Sequence, residues 1–259
     1  MDAHETYLFD LQGFISVPDA LTPDQLGSLN AIWDEHIARD MQADQHTQRW
    51  VGLLTWGRTY RDLLDNPRVV PYLEALVGQR FRLDHEYGDL IRPGPQGQGP
   101  VKGPIGTSLH GGNTPFDPAQ YYHVRNGTLH NGLIVVAYNL RDVGDGDGGF
   151  GCVPGSHKSN FPFPSEWREL DTLRPFVRAV TGPAGTAVIF TEALTHGTLP
   201  WRGQGERRTL FFKYSPHPLS WSASYYQADN YPDLSERQAA ILEPPNARYG
   251  GREVKLGGR

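Results

Sequence analysis

The 259-residue chain has a single cysteine, Cys152, so it forms no internal disulfide and supplies no cluster of thiolates for a zinc or iron–sulfur site. Its longest apolar run, residues 133–137, is far shorter than the roughly 20 residues that span a bilayer. Residues 1–5 lack the basic and apolar stretches of a secretory signal peptide. We therefore expect a protein of the reducing cytoplasm with no membrane partner.

Strong net charge is also lacking, because 24 basic and 29 acidic side chains leave a formal charge of -5. Such a balance creates no field that attracts nucleic acid. A hydrophobic fraction of 38% with 20% charged residues is typical of a soluble globular protein, and this length can bury one substantial core. With no internal repeat and no dividing linker, residues 1–259 are predicted to form a single domain.

The many turn-forming residues, 30 Gly and 21 Pro, favour short strands joined by loops. Thr22 followed by Pro23 predicts a helix start, and the apolar spacing extends that helix to about Arg39. A second helix is expected over 71–77, ended by Gly78, and helix and coil return after residue 219, with a polar tail at 250–259. Strands are predicted at 14–17, 81–83, 133–140, 176–180, 186–190 and 209–214. The pattern indicates α elements around a β-sandwich or barrel.

The most informative absence is that of an acidic residue close after His110, which lies in the run Leu-His-Gly-Gly. A second histidine, His196, is followed eleven residues later by Arg207. Two distant histidines with a following arginine resemble the iron site of 2-oxoglutarate-dependent oxygenases, where an acid two residues after the first histidine completes the triad. Here that position is Gly112, and none of the ten histidines has an acid at this spacing.

An arginine at position 207 suits the binding of 2-oxoglutarate. A guanidinium binds the distal carboxylate of 2-oxoglutarate through two parallel hydrogen bonds, which lysine cannot do. Thr198, two residues after His196, is placed to add a hydroxyl to the same carboxylate. The alternatives are that Arg207 and Arg208 form a solvated surface pair and that each histidine is an ordinary loop residue.

The glycine-rich segment 142–151 contains the Gly-x-Gly-x-x-Gly spacing of a dinucleotide site. That motif must open a helix after a parallel strand, which the following Cys-Val-Pro-Gly run cannot do. The segment also lacks the ligand spacing of an EF-hand. We interpret it as a tight β-turn between strands.

This turn, the run Gly148-Gly149-Phe150 and above all Pro154-Gly155-Ser156-His157-Lys158 resemble the phytanoyl-CoA dioxygenase family, from Phe9 to about Pro216. The resemblance implies a mainly β fold, a double-stranded β-helix (jelly-roll, cupin-like) core with flanking α-helices.

The resemblance also implies an enzyme that uses Fe(II), 2-oxoglutarate and O2. His110 and His196 would then be the iron ligands, with Arg207 and Thr198 on the cosubstrate. His157 is expected to be a turn residue and not a ligand.

The departure from the family pattern is at Gly112. Hydroxylating members carry Asp or Glu there, whereas radical halogenases of this superfamily carry Gly or Ala and bind chloride in the vacated position. We therefore favour a halogenase in which Gly112 makes room for chloride. Alternatively, an acid from elsewhere, such as Asp117 or Glu192, completes the triad of a hydroxylase, or iron is lost and the protein only binds a ligand.

The residues expected on the halide and substrate side are Asn113, Asn139 and Phe150. The loop 92–106 and the segment 50–60 are the expected lid and pocket walls, unless they pack as ordinary helix and loop. In that segment and next to it, Trp50, Trp56 and Tyr60 are candidates to stack on a flat ring, and Arg49, Arg58 and Arg61 to bind a phosphate.

The expected substrate is a small molecule. Halogenases of the family include one that chlorinates a nucleotide in an antibiotic pathway, so a purine nucleotide such as deoxyadenosine monophosphate is the first candidate. Oligomeric state is not predicted.

Overall fold

The chain alternates short strands with glycine- and proline-rich turns, and the strands form three antiparallel sheets. The structure, a computed structural model, describes residues 1–95, 99–170 and 174–247. The strands are β1 (Phe14–Val17), β2 (Thr47–Val51), β3 (Phe81–Ile91), β4 (Tyr122–Arg125), β5 (Thr128–Asn131), β6 (Ile134–Asn139), β7 (Gly149–Cys152), β8 (Arg178–Ala179), β9 (Ala187–Thr191), β10 (His196–Leu199) and β11 (Arg207–Pro216). The helices are α1 (Ala3–Gln12), α2 (Pro23–Asp40), α3 (Arg58–Arg61), α4 (Val70–Val77) and α5 (Glu236–Ile241).

The main sheet has the strand order β1-β9-β6-β11-β3-β2, and a smaller sheet has the order β10-β7-β8. Strands β4 and β5 form a separate hairpin. One hydrophobic cluster joins the two larger sheets, as Phe150 of the small sheet contacts Phe190 of the main sheet with ring centroids 4.4 Å apart. The sheets therefore lie face to face with a shared core. This is the predicted double-stranded β-helix, and the fold prediction is confirmed.

The other face of the main sheet is covered by helices, with α2 at its centre. Thr22 and Gln25 form a reciprocal capping box at the start of α2, which stabilises its first turn. Trp33 of α2 is fully buried against β3 at Gly88, where a Cβ atom would lie 2.7 Å from the indole ring. The glycine in the middle of this strand thus makes room for the largest side chain of the helix.

The aromatic side chains between residues 50 and 60 join this helical layer. Trp50 and Trp56 pack edge-on against Trp33 at centroid distances of 5.5 and 5.9 Å, and Tyr60 packs against Trp56 at 5.1 Å. Their expected stacking on a substrate ring is wrong and the alternative of ordinary packing holds, because they fill the space between α2 and the sheet. Val51 and Gly52 of the same segment do line a cavity, as expected of a pocket wall.

Two of the three arginines expected to meet a phosphate are also engaged elsewhere. Arg58 pairs with Asp62, one turn along the chain, and Arg61 is buried with its guanidinium donating to the carbonyl of Leu54. Neither arginine is among the residues that line the cavity containing His110.

Most predicted elements appear with shifted bounds. The strand expected at 81–83 runs on to Ile91, whereas the one expected at 176–180 shrinks to Arg178–Ala179. Helix α1 and the short strands β2, β4, β5, β7 and β10 were not predicted. The polar tail expected at 250–259 lies outside the described residues, as do residues 96–98 of the expected lid.

The two turn predictions are confirmed. Residues 144–147 form a tight turn that leads into β7, with the amide of Gly144 donating to the Asp147 carboxylate. His157 lies in a short 3-10 turn, fully buried, with its Nε2 paired to the carbonyl of Asp10 in α1. His157 therefore links α1 to the turn that follows β7. Within the described residues, no helix is long and apolar enough to cross a membrane.

One buried carboxylate makes the stability of this fold depend on pH. Glu86 of β3 accepts a hydrogen bond from the amide of Leu53 at 3.0 Å, and burial raises its pKa from 4.5 to about 7. The folded chain therefore keeps this proton to a higher pH than the unfolded chain does. The stabilising contribution is complete below about pH 4 and is lost as the pH rises through 7.

We predict that wild type loses up to about 3 kcal/mol of unfolding free energy relative to Glu86→Gln between pH 4 and pH 8. Glutamine has nearly the same shape, can accept the Leu53 hydrogen bond and carries no charge. Urea denaturation of both proteins across this range measures the difference. Parallel stability profiles would contradict the prediction.

Candidate metal centre

The two histidines singled out in the sequence are neighbours in the structure. The amide of His110 donates to the carbonyl of His196 at 2.8 Å, and the amide of His196 donates back at 2.9 Å. This reciprocal pair attaches the segment around His110 to the free edge of β10. Side chains of directly paired residues on antiparallel strands lie on the same face, and the two imidazole centroids are 4.3 Å apart.

Backbone carbonyls orient both imidazoles. Nδ1 of His196 lies 2.7 Å from the carbonyl oxygen of Leu194, and Nδ1 of His110 lies 3.4 Å from that of Ser108. A carbonyl oxygen only accepts, so the proton of each neutral ring is on Nδ1. Each Nε2 therefore keeps its lone pair, which is the arrangement that metal-binding histidines use.

Glu192 completes a cluster with the two histidines. One ligand atom from each of the three residues lies within 4.8 Å of the others. Glu192 is in the turn between β9 and β10, four residues before His196, and its Oε2 is 3.9 Å from the His196 Nε2. The two histidines and one carboxylate match the donor set of a non-haem iron(II) site.

The other carboxylate oxygen of Glu192 is paired with Lys213 of β11, whose Nζ donates to Oε1 at 2.5 Å. Burial alone would raise the pKa of Glu192, but the adjacent Lys213 ammonium outweighs it, and that pKa is lowered to about 2. Burial and the neighbouring His110 lower the pKa of His196 to about 3. At neutral pH the site therefore contains a carboxylate and neutral imidazoles, the protonation states that bind metal.

Gly111 and Gly112 turn the chain away from this cluster. Both have positive φ, +76° at Gly111 and +112° at Gly112. A Cβ atom at Gly111 would lie 2.5 Å from the carbonyl oxygen of Leu194 and 2.7 Å from that of Glu192, whereas one at Gly112 would meet only the Thr195 hydroxyl, at 3.4 Å.

Gly112 lines a cavity of about 560 Å³ together with Asn113, whose side chain exchanges hydrogen bonds with the backbone of Tyr122. His110 and Glu192 instead line a cavity of about 720 Å³. The glycine predicted to face the halide and the candidate metal ligands thus line two different cavities.

The remaining predicted residues are distributed around the site. Phe150 packs 5.9 Å from His196 in the shared core, and Asn139 is buried on β6 opposite Thr209. Asp117, considered as a third ligand, caps a turn by accepting from the amides of Ala119 and Gln120.

A buried cation lies further along the inner face of β11. Arg207 is 2% exposed, and its Nε and Nη1 have no hydrogen-bond partner among the described residues. Gly149 makes room for it, since a Cβ there would lie 3.1 Å from the Arg207 Nε. Burial lowers the pKa of Arg207, and the charge of Asp89 partly compensates. Unpartnered donors on a buried guanidinium mark a site for an anion, because leaving them unpaired is costly.

Two threonines carry hydroxyls on the strands that hold Arg207 and His196. Thr209, two residues along the same strand, is buried with a hydroxyl that also lacks a partner in the described part of the chain. Thr198 is half-buried on β10, two residues from His196 and on the same face of the small sheet. These donors fit a carboxylate-bearing cosubstrate.

Sequence reasoning missed Lys213 and Thr209, and it treated Glu192 only as an alternative ligand. Alternation along β11 carries a signal for the first two. Positions 207, 209 and 213 are an even number of residues apart, so all three side chains share the face that carries Arg207. No sequence pattern indicates Glu192, because its approach to the two histidines depends on the path of the chain between β9 and β10.

We predict that Gly111→Ala destabilises the fold by more than about 2 kcal/mol, because the new methyl group combines a positive φ with overlap onto two carbonyl oxygens. Gly112→Ala carries only the conformational strain, about 1 kcal/mol, and serves as the matched control. Urea denaturation of the two variants measures both values. An equal loss of unfolding free energy in the two variants would show that the chain moves to relieve the close approach at Gly111.

Known proteins agree with this architecture. The family profile of phytanoyl-CoA dioxygenase (PhyH) matches residues 9–209. HygX from Streptomyces hygroscopicus, with nickel and 2-oxoglutarate bound, is 24% identical with a TM-score of 0.75, over 85% of this chain and 89% of HygX. The same protein with nickel, 2-oxoglutarate and hygromycin B bound gives a TM-score of 0.72 at 24% identity and the same coverage.

The epimerase SnoN, in complex with Fe3+, alpha-ketoglutarate and nogalamycin RO, is 20% identical with a TM-score of 0.60, over 83% of each chain. At these identities the likeness shows a shared fold. No curated protein sequence matches the chain. The profile match covers most of the chain and confirms the resemblance found in the sequence: the chain belongs to the phytanoyl-CoA dioxygenase family.

Proposed function

We propose that the protein is an iron(II)- and 2-oxoglutarate-dependent oxygenase that acts on a small molecule, with iron held by His110, His196 and Glu192. The observation that carries the proposal is the cluster of these three side chains at the wall of a cavity of about 720 Å³. That volume lies in the range of about 300–1,000 Å³ that is usual for sites of small ligands.

Each ligand has a fixed role in this proposal. The two imidazoles offer Nε2, and their Nδ1–H groups donate to the carbonyl oxygens of Leu194 and Ser108. Glu192 offers Oε2, while Lys213 holds Oε1 and orients the carboxylate. Support from a hydrogen-bonded neighbour is what keeps metal ligands in position.

In this proposal the cosubstrate is assigned to Arg207. Arg207 would bind the distal carboxylate of 2-oxoglutarate through its unpartnered nitrogens, with the hydroxyls of Thr198 and Thr209 as further donors. Bound iron and 2-oxoglutarate would allow O2 to oxidise an unactivated carbon of the substrate. The 2-oxoglutarate would be converted to succinate and carbon dioxide. The protein's own contribution is to orient the substrate carbon and to exclude water.

A second candidate, a halogenase, is favoured by Gly112, since the usual carboxylate position carries no side chain. Chloride would then bind iron beside Gly112, with Asn113, Asn139 and Phe150 on the halide and substrate side. Two observations favour the oxygenase. The carboxylate of Glu192 already brings a negative charge to the imidazoles, and Gly112 lines a different cavity from His110.

The two candidates differ in how chloride affects the anaerobic complex with Fe(II) and 2-oxoglutarate. We expect the metal-to-ligand charge-transfer band of the wild type to form and to be insensitive to chloride, because Glu192 occupies the third protein position. Glu192→Ala should weaken iron binding by about tenfold or more and make the remaining band respond to chloride, since an open position then lies beside Lys213. Absorption spectroscopy during titration measures both effects.

Asp117→Asn is the matched control and should behave as the wild type, because its carboxylate only caps a turn. A saturable chloride shift in the wild type that disappears in Gly112→Asp would support the halogenase instead. Absence of the band under all conditions, with no succinate released in air, would leave only a ligand-binding protein.

For the substrate we propose a small molecule of secondary metabolism, with a purine nucleotide such as deoxyadenosine monophosphate as the first candidate. HygX binds hygromycin B, and SnoN from nogalamycin biosynthesis binds nogalamycin RO, which supports a small-molecule substrate in general. Arg49 is the remaining candidate phosphate ligand, since it lines the cavity that contains His110, although its guanidinium also donates to Asp89 through two contacts of 2.6 Å.

If a nucleotide is the substrate, removing its phosphate should reduce succinate release at least tenfold at a fixed substrate concentration, because the contact with Arg49 is lost. Parallel assays with deoxyadenosine monophosphate and deoxyadenosine measure the ratio. Equal release from the two compounds, or none above the background without substrate, would exclude this candidate.

A further inference from the structure

The mouth of the metal-site cavity is lined by apolar side chains that remain in contact with solvent. Val51 is 73% exposed, Ile105 64%, Trp221 54% and Tyr225 45%, and all four line the cavity that contains His110. Single exposed apolar residues are ordinary, but four around one concave opening mark a binding surface.

Trp221 is the outermost ring of a stack that leads inward. Its ring lies 5.1 Å from that of His85 at an interplanar angle of 29°, and His85 lies 6.1 Å from Tyr87 at 18°. Tyr87 in turn lies 4.8 Å from Phe211 at 22°, and the Lys213 ammonium is 5.5 Å above the Tyr87 ring. The stack therefore connects the mouth of the cavity with the side chain that holds Glu192.

A buried ion pair fixes Trp221 at this position. The amides of Trp221 and Ser222 donate to the two oxygens of the Asp84 carboxylate at 2.9 and 3.0 Å. Asp84 is fully buried, and it also pairs with the buried Arg82 at 3.1 Å and with Nδ1 of His85 at 2.8 Å. The same carboxylate thus orients both outer rings of the stack. An aromatic side chain that is already ordered loses little conformational entropy when a ligand stacks on it.

The chemistry of the mouth favours a flat aromatic ring over a sugar. Recognition of a sugar needs several hydrogen-bonding side chains around the aromatic platform. The cavity has polar side chains such as Gln120, Ser222 and Ser224, but most of its exposed lining is apolar, including Val51, Ile105 and Trp221. An aromatic ring gains from near-parallel stacking beyond the burial of its surface.

We propose that the substrate carries a planar aromatic ring that stacks on Trp221 at the mouth of the cavity, so that an attached carbon reaches the His110, Glu192 and His196 cluster. Trp221 is then a specificity-determining residue and Asp84 its positioning residue. This inference rests on the proposed function, because it takes the three-residue cluster as the reacting centre.

The test uses two probes of nearly equal size and equal charge, naphthalene-2-carboxylate and its saturated analogue decahydronaphthalene-2-carboxylate. Isothermal titration of the full chain with each probe measures affinity. We expect the aromatic probe to bind at least about fivefold more tightly than the saturated one. Trp221→Leu should remove this preference and Trp221→Phe should keep most of it, since leucine retains apolar surface and phenylalanine retains a ring.

Trp167→Leu is the matched control, because Trp167 is a partly exposed tryptophan that lines the separate cavity beside Gly112. It should leave the preference unchanged. Equal affinity for the two probes, a preference that survives Trp221→Leu, or no binding of the aromatic probe would each overturn the inference.

Failure of the proposed function has a different signature. The anaerobic charge-transfer band with Fe(II) and 2-oxoglutarate should be the same in wild type and Trp221→Leu, because Trp221 contacts neither group. A band present in both proteins without an aromatic preference would refute only the stacking site. A band absent from both would refute the iron site, whatever the probes do.

Discussion

The backbone pair between His110 and His196 is the constraint on which the metal centre depends. Two reciprocal hydrogen bonds align a loop residue with the first residue of β10, and both side chains consequently lie on one face. Each such bond contributes only about 1 kcal/mol to stability, but together they set the register to which the other ligands must conform. Gly111 follows directly, and its backbone passes so close to the carbonyls of Leu194 and Glu192 that no side chain fits.

Buried charge is distributed unequally around this centre. Glu192 and Lys213 compensate each other at 2.5 Å, so the pair is stable without a ligand. Arg207, on the same face of β11, is buried with two nitrogens that lack partners among the described residues. A balanced pair beside the imidazoles and an unbalanced cation further along the strand fit the proposed metal at one end of the site and the proposed anion at the other.

The position of Glu192 changes what the glycine at position 112 implies about the site. In a linear motif the absence of a carboxylate indicates an open coordination position. In three dimensions a carboxylate four residues before the second histidine approaches the same imidazoles from another strand connection. The glycine pair allows the chain to turn toward a neighbouring cavity, so loss of the motif acid and retention of a third ligand are compatible.

Much of this protein was determined by its sequence. Short runs rich in β-branched and aromatic residues predicted β6, β9 and much of β11, the Thr22-Pro23 pair predicted the start of α2, and the motif around Pro154 carried the family resemblance. These are local signals, because strand pairing, helix capping and turns act over a few residues. The two histidines and Arg207 were recognisable for the same reason, by residue type and spacing.

The tertiary structure alone decided which side chains meet. It assigned Trp50, Trp56 and Tyr60 to the layer beneath α2, since the hydrophobic side of a strand is set by the sheet it joins. It brought Glu192 to the histidines, Lys213 to Glu192, and Trp221 to the mouth of the cavity through the buried carboxylate of Asp84. Except for Glu192 and His196, these contacts join residues at least 21 positions apart, and no short-range pattern encodes the distance between them.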